Sequence, residues 1–181
     1  MGNEMIWWGG QRPDLAAMTR GGEGSMNGYL GIEFIDCGDD WIKARMPVNE
    51  RTQQPFGRLH GGASVAFAET VGSVAAGWCV DRTQQVGGGM EINANHIRPA
   101  YSGWVYATAR PEALGRTTQV WTIRIEDEAE QMVQTVGLWI EQGKGQRYWN
   151  ELTRWYREDS KRVQAGGKAT AQTITGATRT P

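Results

Sequence analysis

The stretch RLHGGASVAFAETVGS, residues 58–73, sets one histidine, two adjacent glycines and one carboxylate in a run of small and apolar residues. Between His60 and Asp81, Glu69 is the only acidic residue. Burying an unpaired carboxylate costs several kcal/mol even after relaxation. Glu69 therefore pairs with a buried arginine, is reached by water, or is present for its chemistry. The chemistry open to it is that of a general base toward water or of a nucleophile. Gly61 and Gly62 add a second element. A helix starting there presents unpaired backbone N–H groups, and the missing side chains let a ligand approach them. Such a donor stabilises a developing oxyanion, a contribution of about 3 kcal/mol in measured cases. Two glycines ahead of a helix also serve plain close packing.

Spacing constrains how these groups combine. Nine residues of helix put His60 and Glu69 roughly 13 Å apart on opposite sides, out of joint reach of one small reacting group. If both act, the site is shared, the helix start of one chain meeting the helix middle of another across a twofold axis. Ser73 stands one turn after Glu69 on nearly the same face, placed to orient the carboxylate or a water.

The elements that must carry these residues follow from periodicity. Pro13 and Asp14 open a short helix through DLAAM. YLGIEFIDCGDDWIKARMPV reads as two strands around Gly38-Asp39-Asp40, with Tyr29, Gly31, Glu33 and Ile35 alternating against Leu30, Ile32 and Phe34. About 18 residues from the glycine pair onward lack proline and fit one long helix. After the glycines at 87–89, four strand-like runs follow: MEINANHIRPA, GWVYATARPEA, TTQVWTIRIEDE and QMVQTVGLWIEQ. A helix apolar nearly all round needs cover on most sides, and one antiparallel sheet curled about it gives that cover. Residues 1–143 thus form one α+β domain. Residues 144–163 read as an amphipathic basic helix carrying Tyr148, Trp149, Leu152, Trp155 and Tyr156, and 164–181 as a flexible tail.

RTQQPFGRLHGGASVAFAETVGSVAAG, with GMEINANHIRPA and ALGRTTQVW, resembles the bacterial hotdog-fold acyl-CoA thioesterases, and among them the 1,4-dihydroxy-2-naphthoyl-CoA hydrolase and enterobactin-proofreading group of the PaaI-like superfamily. The resemblance covers approximately residues 14–142. It implies a hotdog fold of about six antiparallel strands around one helix, and dimers with shared active sites that associate into tetramers. It also implies hydrolysis of an acyl-CoA, or of an acyl-carrier-protein thioester, without cofactor or metal. By position it implies Glu69 as catalytic carboxylate, Gly61 as the amide that polarises the thioester, His60 and Gln54 as orienting groups, and Ser73 as aid to water or carboxylate. For the nucleotide end of CoA it points to His96, Arg98, Arg116 and Thr117. The order Arg116-Thr117 departs from the usual small-then-basic pair.

Composition narrows the classes. The chain has 181 residues and 22% charged side chains, as expected of a soluble domain. Its charge is uneven, with 11 Lys+Arg against 17 Asp+Glu up to Gly143 and 8 against 3 from Lys144 onward. The basic tail is expected to dock on the acidic body rather than to bind nucleic acid or a membrane. Two cysteines, Cys37 and Cys79, make no disulfide scaffold, and with His60 and His96 they lack zinc-ligand spacing. No signal peptide or membrane span is evident, so the expected location is the cytoplasm. Trp41, Trp78, Trp104, Trp121 and Trp139 are candidates to line a pocket for an aromatic or medium-sized acyl group, although tryptophans at such spacing more often serve the core. A hydratase would need a carboxylate and a histidine close together on one segment, which is absent. A non-catalytic acyl-CoA-binding module is the alternative, a reading that an attached DNA-binding helix pair would favour.

Overall fold

The structure, a computed structural model, describes residues 5–144. The expected helix and tail beyond residue 144 lie outside the described residues. Helix α1 (Leu15–Gly21) starts where the sequence places it, with the Asp14 carboxylate accepting from the Ala17 N–H at 2.9 Å. Helix α2 (Met26–Leu30) is a departure from the sequence reading, which ran Tyr29 and Leu30 into a strand. Capping decides it. The Ser25 hydroxyl accepts from the Asn27 N–H, and Gly31, at φ 71°, closes the turn in the left-handed region open to glycine. Strand β1 (Glu33–Cys37) begins only after this stop, and it pairs as expected with β2 (Ile42–Pro47) through a turn in which the Gly38 N–H donates to the Trp41 carbonyl.

Helix α3 (Gly61–Trp78) is the predicted long helix. Four longer strands follow: β3 (Gln85–His96), β4 (Trp104–Leu114), β5 (Thr118–Asp127) and β6 (Met132–Lys144). They join the first hairpin in one six-stranded sheet of order β1-β2-β4-β5-β6-β3, antiparallel throughout. Strand β3 takes in the glycines at 87–89 rather than starting after them, and it forms one edge.

The buried face of α3 is Ser64, Phe67, Ala68, Val71, Gly72, Ala75 and Ala76, the three-and-four spacing of one helical stripe. It lies on alternate residues of the sheet: Ile42, Ala44 and Met46 of β2, Val105, Ala107 and Ala109 of β4, Trp121, Ile123 and Ile125 of β5, and Val136, Leu138 and Ile140 of β6. Gly72 has no room for a side chain, since a Cβ there would stand 2.6 Å from Leu138 Cδ2. Each large side chain in this layer contributes about 1.5–3 kcal/mol of burial, so α3 is fixed firmly in register on the sheet. Two buried glutamines mark the two ends of the helix. Gln119 donates to the Ala76 carbonyl at 3.2 Å and accepts from Trp121 Nε1 at 2.8 Å, while Gln134 lies against Ser64 in the first turn.

Candidate active site

The polar loop ahead of α3 is built around Thr52, which is 1% exposed. Its hydroxyl donates to the Pro47 carbonyl at 2.7 Å and accepts from the Asn49 N–H at 3.0 Å, and its carbonyl accepts from the His60 N–H at 2.8 Å. A turn follows at Gln54-Pro55-Phe56-Gly57, closed by the Gly57 N–H on the Gln54 carbonyl at 2.9 Å, with proline at its second position and φ 75° at Gly57. The Gln54 side-chain oxygen accepts from the Phe56 N–H at 2.6 Å, which leaves its amide N–H groups as donors for a ligand. His60 is the N-cap of α3. Extended backbone at φ −72°, ψ 129° brings its Nδ1 to accept from the Gly62 N–H at 2.8 Å, and its carbonyl accepts from the Ser64 N–H. The cap thus takes Gly62. Among the described residues the Gly61 N–H has no partner.

Gly61 lines a cavity of about 380 Å³, together with Gln54, Arg58, Leu59, Ser64, His96, Ile97, Arg98, Pro99, Ala100 and Val133. His96 comes from the end of β3 and closes on Gly61, whose Cβ, if present, would stand 3.0 Å from both Cε1 and Nε2 of the ring. The Arg98 guanidinium is held by the Gln131 side-chain oxygen. The lining holds two arginines and no carboxylate, a setting for an electron-rich or anionic ligand. Sequence reasoning named Gln54, Gly61, His96 and Arg98, which the fold brings together, and missed Arg58, Ser64 and the apolar wall. Their proximity depends on β3, β6 and the loop meeting in space. The one local signal was that Arg58 and Ser64 flank HGG.

Glu69 lies one helix segment further on and does not line this cavity, nor does Ser73. Both are half-buried. Among the described residues Glu69 makes no hydrogen bond or ion pair, and no arginine there pairs with it. Its Oε1 lies over the edge strand, 2.7 Å from where a Cβ on Gly89 would be. The β3–β6 pairing is irregular there, with a register shift between Gly89 and Glu91. Within one chain the carboxylate thus lies apart from the cavity that Gly61 lines.

The residues expected at the nucleotide end of CoA divide between two ends of the sheet. His96 pairs with Gln134 near the start of β6, whereas Thr117, in the β4–β5 turn beside Arg116, accepts from the Gln142 N–H near the end of β6. None of the five tryptophans lines the cavity. Trp121 is core, while Trp41, Trp78 and Trp104 lie under the cations Arg110, Arg82 and Arg45. Cys79 is held by burial, its thiol pushed up to about 12. Among the described residues no helix is long and apolar enough to cross a membrane.

Known proteins fit this arrangement. The thioesterase superfamily matches residues 56–134, the segment from the Gln54 turn through α3 to Gln134. A second family, described as a predicted periplasmic protein, matches residues 118–181. The 1,4-dihydroxy-2-naphthoyl-CoA hydrolase of Escherichia coli is 51% identical over 124 residues, which cover 68% of this chain and 89% of the relative. The proofreading thioesterase EntH of Cronobacter turicensis is 46% identical over 124 residues, covering 68% and 88%. The crystal structure of a Haemophilus influenzae thioesterase superposes with a TM-score of 0.74 at 43% identity, covering 77% of this chain and 96% of that one. With the long helix, its start and all of the cavity lining but Gln54 inside the matched segment, and with the relatives covered over most of their length, the chain belongs to the thioesterase superfamily and is a hotdog-fold thioester hydrolase.

Proposed function

We propose that the protein hydrolyses an acyl-CoA thioester to the free acid and CoA at a site that two copies complete. The observation that carries this reading is the separation described above. Gly61 and Gln54 line a cavity, the Gly61 N–H has no partner among the described residues, and a carboxylate likewise without a described partner lies outside the cavity on the same helix. Among the described residues strand β3 is an edge, and no strand pairs with its outer side. Antiparallel pairing of two such edges about a twofold axis lays two α3 helices side by side. The Gly61 end of one then faces the Glu69 middle of the other. The same pairing carries Arg116 and Thr117 of one copy toward His96 and Arg98 of the other, so the CoA phosphates draw on both chains. Two such dimers form the tetramer.

In this site the thioester carbonyl accepts the Gly61 N–H, with Gln54 and His60 orienting it. As general base, Glu69 of the second copy takes a proton from a water held by Ser73. The resulting hydroxide attacks the carbonyl carbon, and the oxyanion rests on Gly61 until the C–S bond breaks. As nucleophile, Glu69 attacks directly and expels the thiolate, and water then cleaves the mixed anhydride. In both routes CoA leaves as a thiolate and ends as the thiol. Free thiols ionise near pH ~8.5, so this leaving group needs little acid help.

The acyl group is aromatic or medium-sized, as the name of the E. coli relative suggests and the apolar wall of Leu59, Ile97, Pro99, Ala100 and Val133 supports. A second reading, an acyl-carrier-protein substrate in a proofreading role, is favoured by the names of the EntH relatives. Thiol release from aroyl-CoAs, medium-chain acyl-CoAs and the same acyl groups on a carrier protein separates the two. Higher kcat/KM on aroyl-CoA is expected. Preference for the carrier thioester would favour the second reading, and no cleavage of any thioester would defeat both.

A further inference from the structure

We propose that the buried pair Gln134 and Ser64 are positioning residues for the reaction, linked to His60 by a one-way chain of hydrogen bonds through the first peptide of α3. Gln134 is fully buried on β6, on the face that otherwise carries Val136, Leu138 and Ile140. An amide in that layer has a desolvation cost that leucine would avoid, so packing alone does not explain it. Its oxygen lies against the Ser64 hydroxyl, and its Nε2 has no partner among the described residues. Ser64 Oγ is also 2.8 Å from the Gly61 carbonyl.

A hydroxyl carries one proton, so Ser64 cannot donate to both oxygens. If it donates to Gln134, the Gly61 carbonyl faces a hydroxyl lone pair and both Nε2 N–H groups stay without a partner among the described residues. If it donates to Gly61, the Gln134 amide turns over and its Nε2 donates to Ser64. The second arrangement satisfies one of the two buried N–H donors where the first satisfies neither, and the amide oxygen it frees is the less demanding group to leave short of a partner. The chain then runs from the Gln134 N–H to Ser64 and from the Ser64 O–H to the Gly61 carbonyl.

That carbonyl and the Gly62 N–H belong to one peptide group. Donation to the oxygen polarises the group and strengthens the N–H, which points at His60 Nδ1 at 2.8 Å. With Nδ1 accepting, the neutral imidazole carries its proton on Nε2 and presents a donor. The chain also ties the first turn of α3 to β6, and with it the Gly61 amide whose placement matters to catalysis. This role rests on the reading that Gly61 and His60 act on the thioester. Its spectroscopic test needs no substrate.

In the wild-type protein, NMR should show the Gln134 Nε2 protons close to the Ser64 β protons and exchanging slowly, the Gly62 amide proton shifted downfield, and the His60 Nε2 protonated. Ser64→Ala should lower both Tm and kcat by stranding the Gln134 amide. The double variant Ser64→Ala/Gln134→Leu removes both partners and should regain Tm, while kcat stays down about tenfold, KM stays within about twofold, and the Gly62 amide moves upfield. A double variant that regains turnover along with Tm, or that leaves the Gly62 amide unmoved, would overturn the proposal. So would a wild-type Gln134 amide with Nε2 directed away from Ser64, a measurement that stands even if no variant folds. Wild-type protein inactive on every thioester, with these signals present, would instead count against the reading of the site.

Discussion

Glu69 Oε1 and Gly89 occupy one space: the carboxylate oxygen stands 2.7 Å from the point where a side chain on residue 89 would begin. The helix can hold its only carboxylate over the edge strand because that strand has no Cβ there. The glycines at 87–89 therefore do more than break a pattern, since one of them fixes where Glu69 is able to lie.

Gly89→Ala should separate placement from folding. Position 89 is exposed, and a methyl group on a strand edge costs the fold little, yet it meets the carboxylate well inside normal contact. Glu69 must swing away. The expected result is a Tm near wild type with kcat down about tenfold or more, the loss that misplacing a reacting group produces. Unchanged steady-state kinetics would mean that Glu69 works from another position.

Glu69→Gln keeps the size of the side chain and removes both the base and the nucleophile. Turnover should fall at least about a hundredfold, the scale of general-base catalysis, while substrate binding persists. Because the wild-type carboxylate has no partner among the described residues, the amide breaks no ion pair, and stability should hold or rise. Near-normal hydrolysis by the purified variant would remove Glu69 from the mechanism.

Sharing of the site is testable by mixing two inactive chains. Proline is tolerated at the first position of a helix and has no N–H, so Gly61→Pro deletes the proposed donor, although its ring must push His96 aside. In a heterodimer of Gly61→Pro with Glu69→Gln, one site has both groups intact and the other has neither. Equal mixing with random pairing should restore about a quarter of wild-type turnover, since half the dimers are mixed and each has one good site. No recovery in heterodimers verified by mass spectrometry would place both groups in one chain.

Much of this was legible because it is local. The length of α3, the six strands and the opposition of His60 to Glu69 follow from periods of two and 3.6 within single segments. What escaped the sequence reading depended on groups meeting in space or on short-range capping. Tyr29 and Leu30 alternate like strand residues, but Ser25 and Gly31 enclose them in one helical turn. Trp7, which precedes the first element expected from the sequence, is 2% exposed and donates to the Gly38 carbonyl across 31 residues of sequence. Gln134 looked like one more polar residue of a strand, and only its register against His96 and its contact with Ser64 reveal it under the helix start. Arg116 and Thr117 were grouped with Arg98 by resemblance, and the sheet puts its own length between them.

Cys79 offers a prediction independent of the site. Burial pushes its thiol up to about 12, and its Sγ–H donates to the Ala75 carbonyl at 3.4 Å. In the unfolded chain the same thiol ionises near pH ~8.5. Below that pH the two states carry the same proton and the group is neutral to stability. Above it the unfolded state loses the proton first, so ionisation favours unfolding by about 1.4 kcal/mol per pH unit until the folded thiol itself titrates. The stability advantage of wild type over Cys79→Ala should therefore be constant from pH 6 to 8 and shrink between about pH 9 and 11. Because burial keeps the thiol protonated at pH 8, iodoacetamide should leave Cys79 unmodified and hydrolysis unchanged. Rapid alkylation of Cys79 in the native protein, or a stability difference flat to pH 11, would contradict its burial.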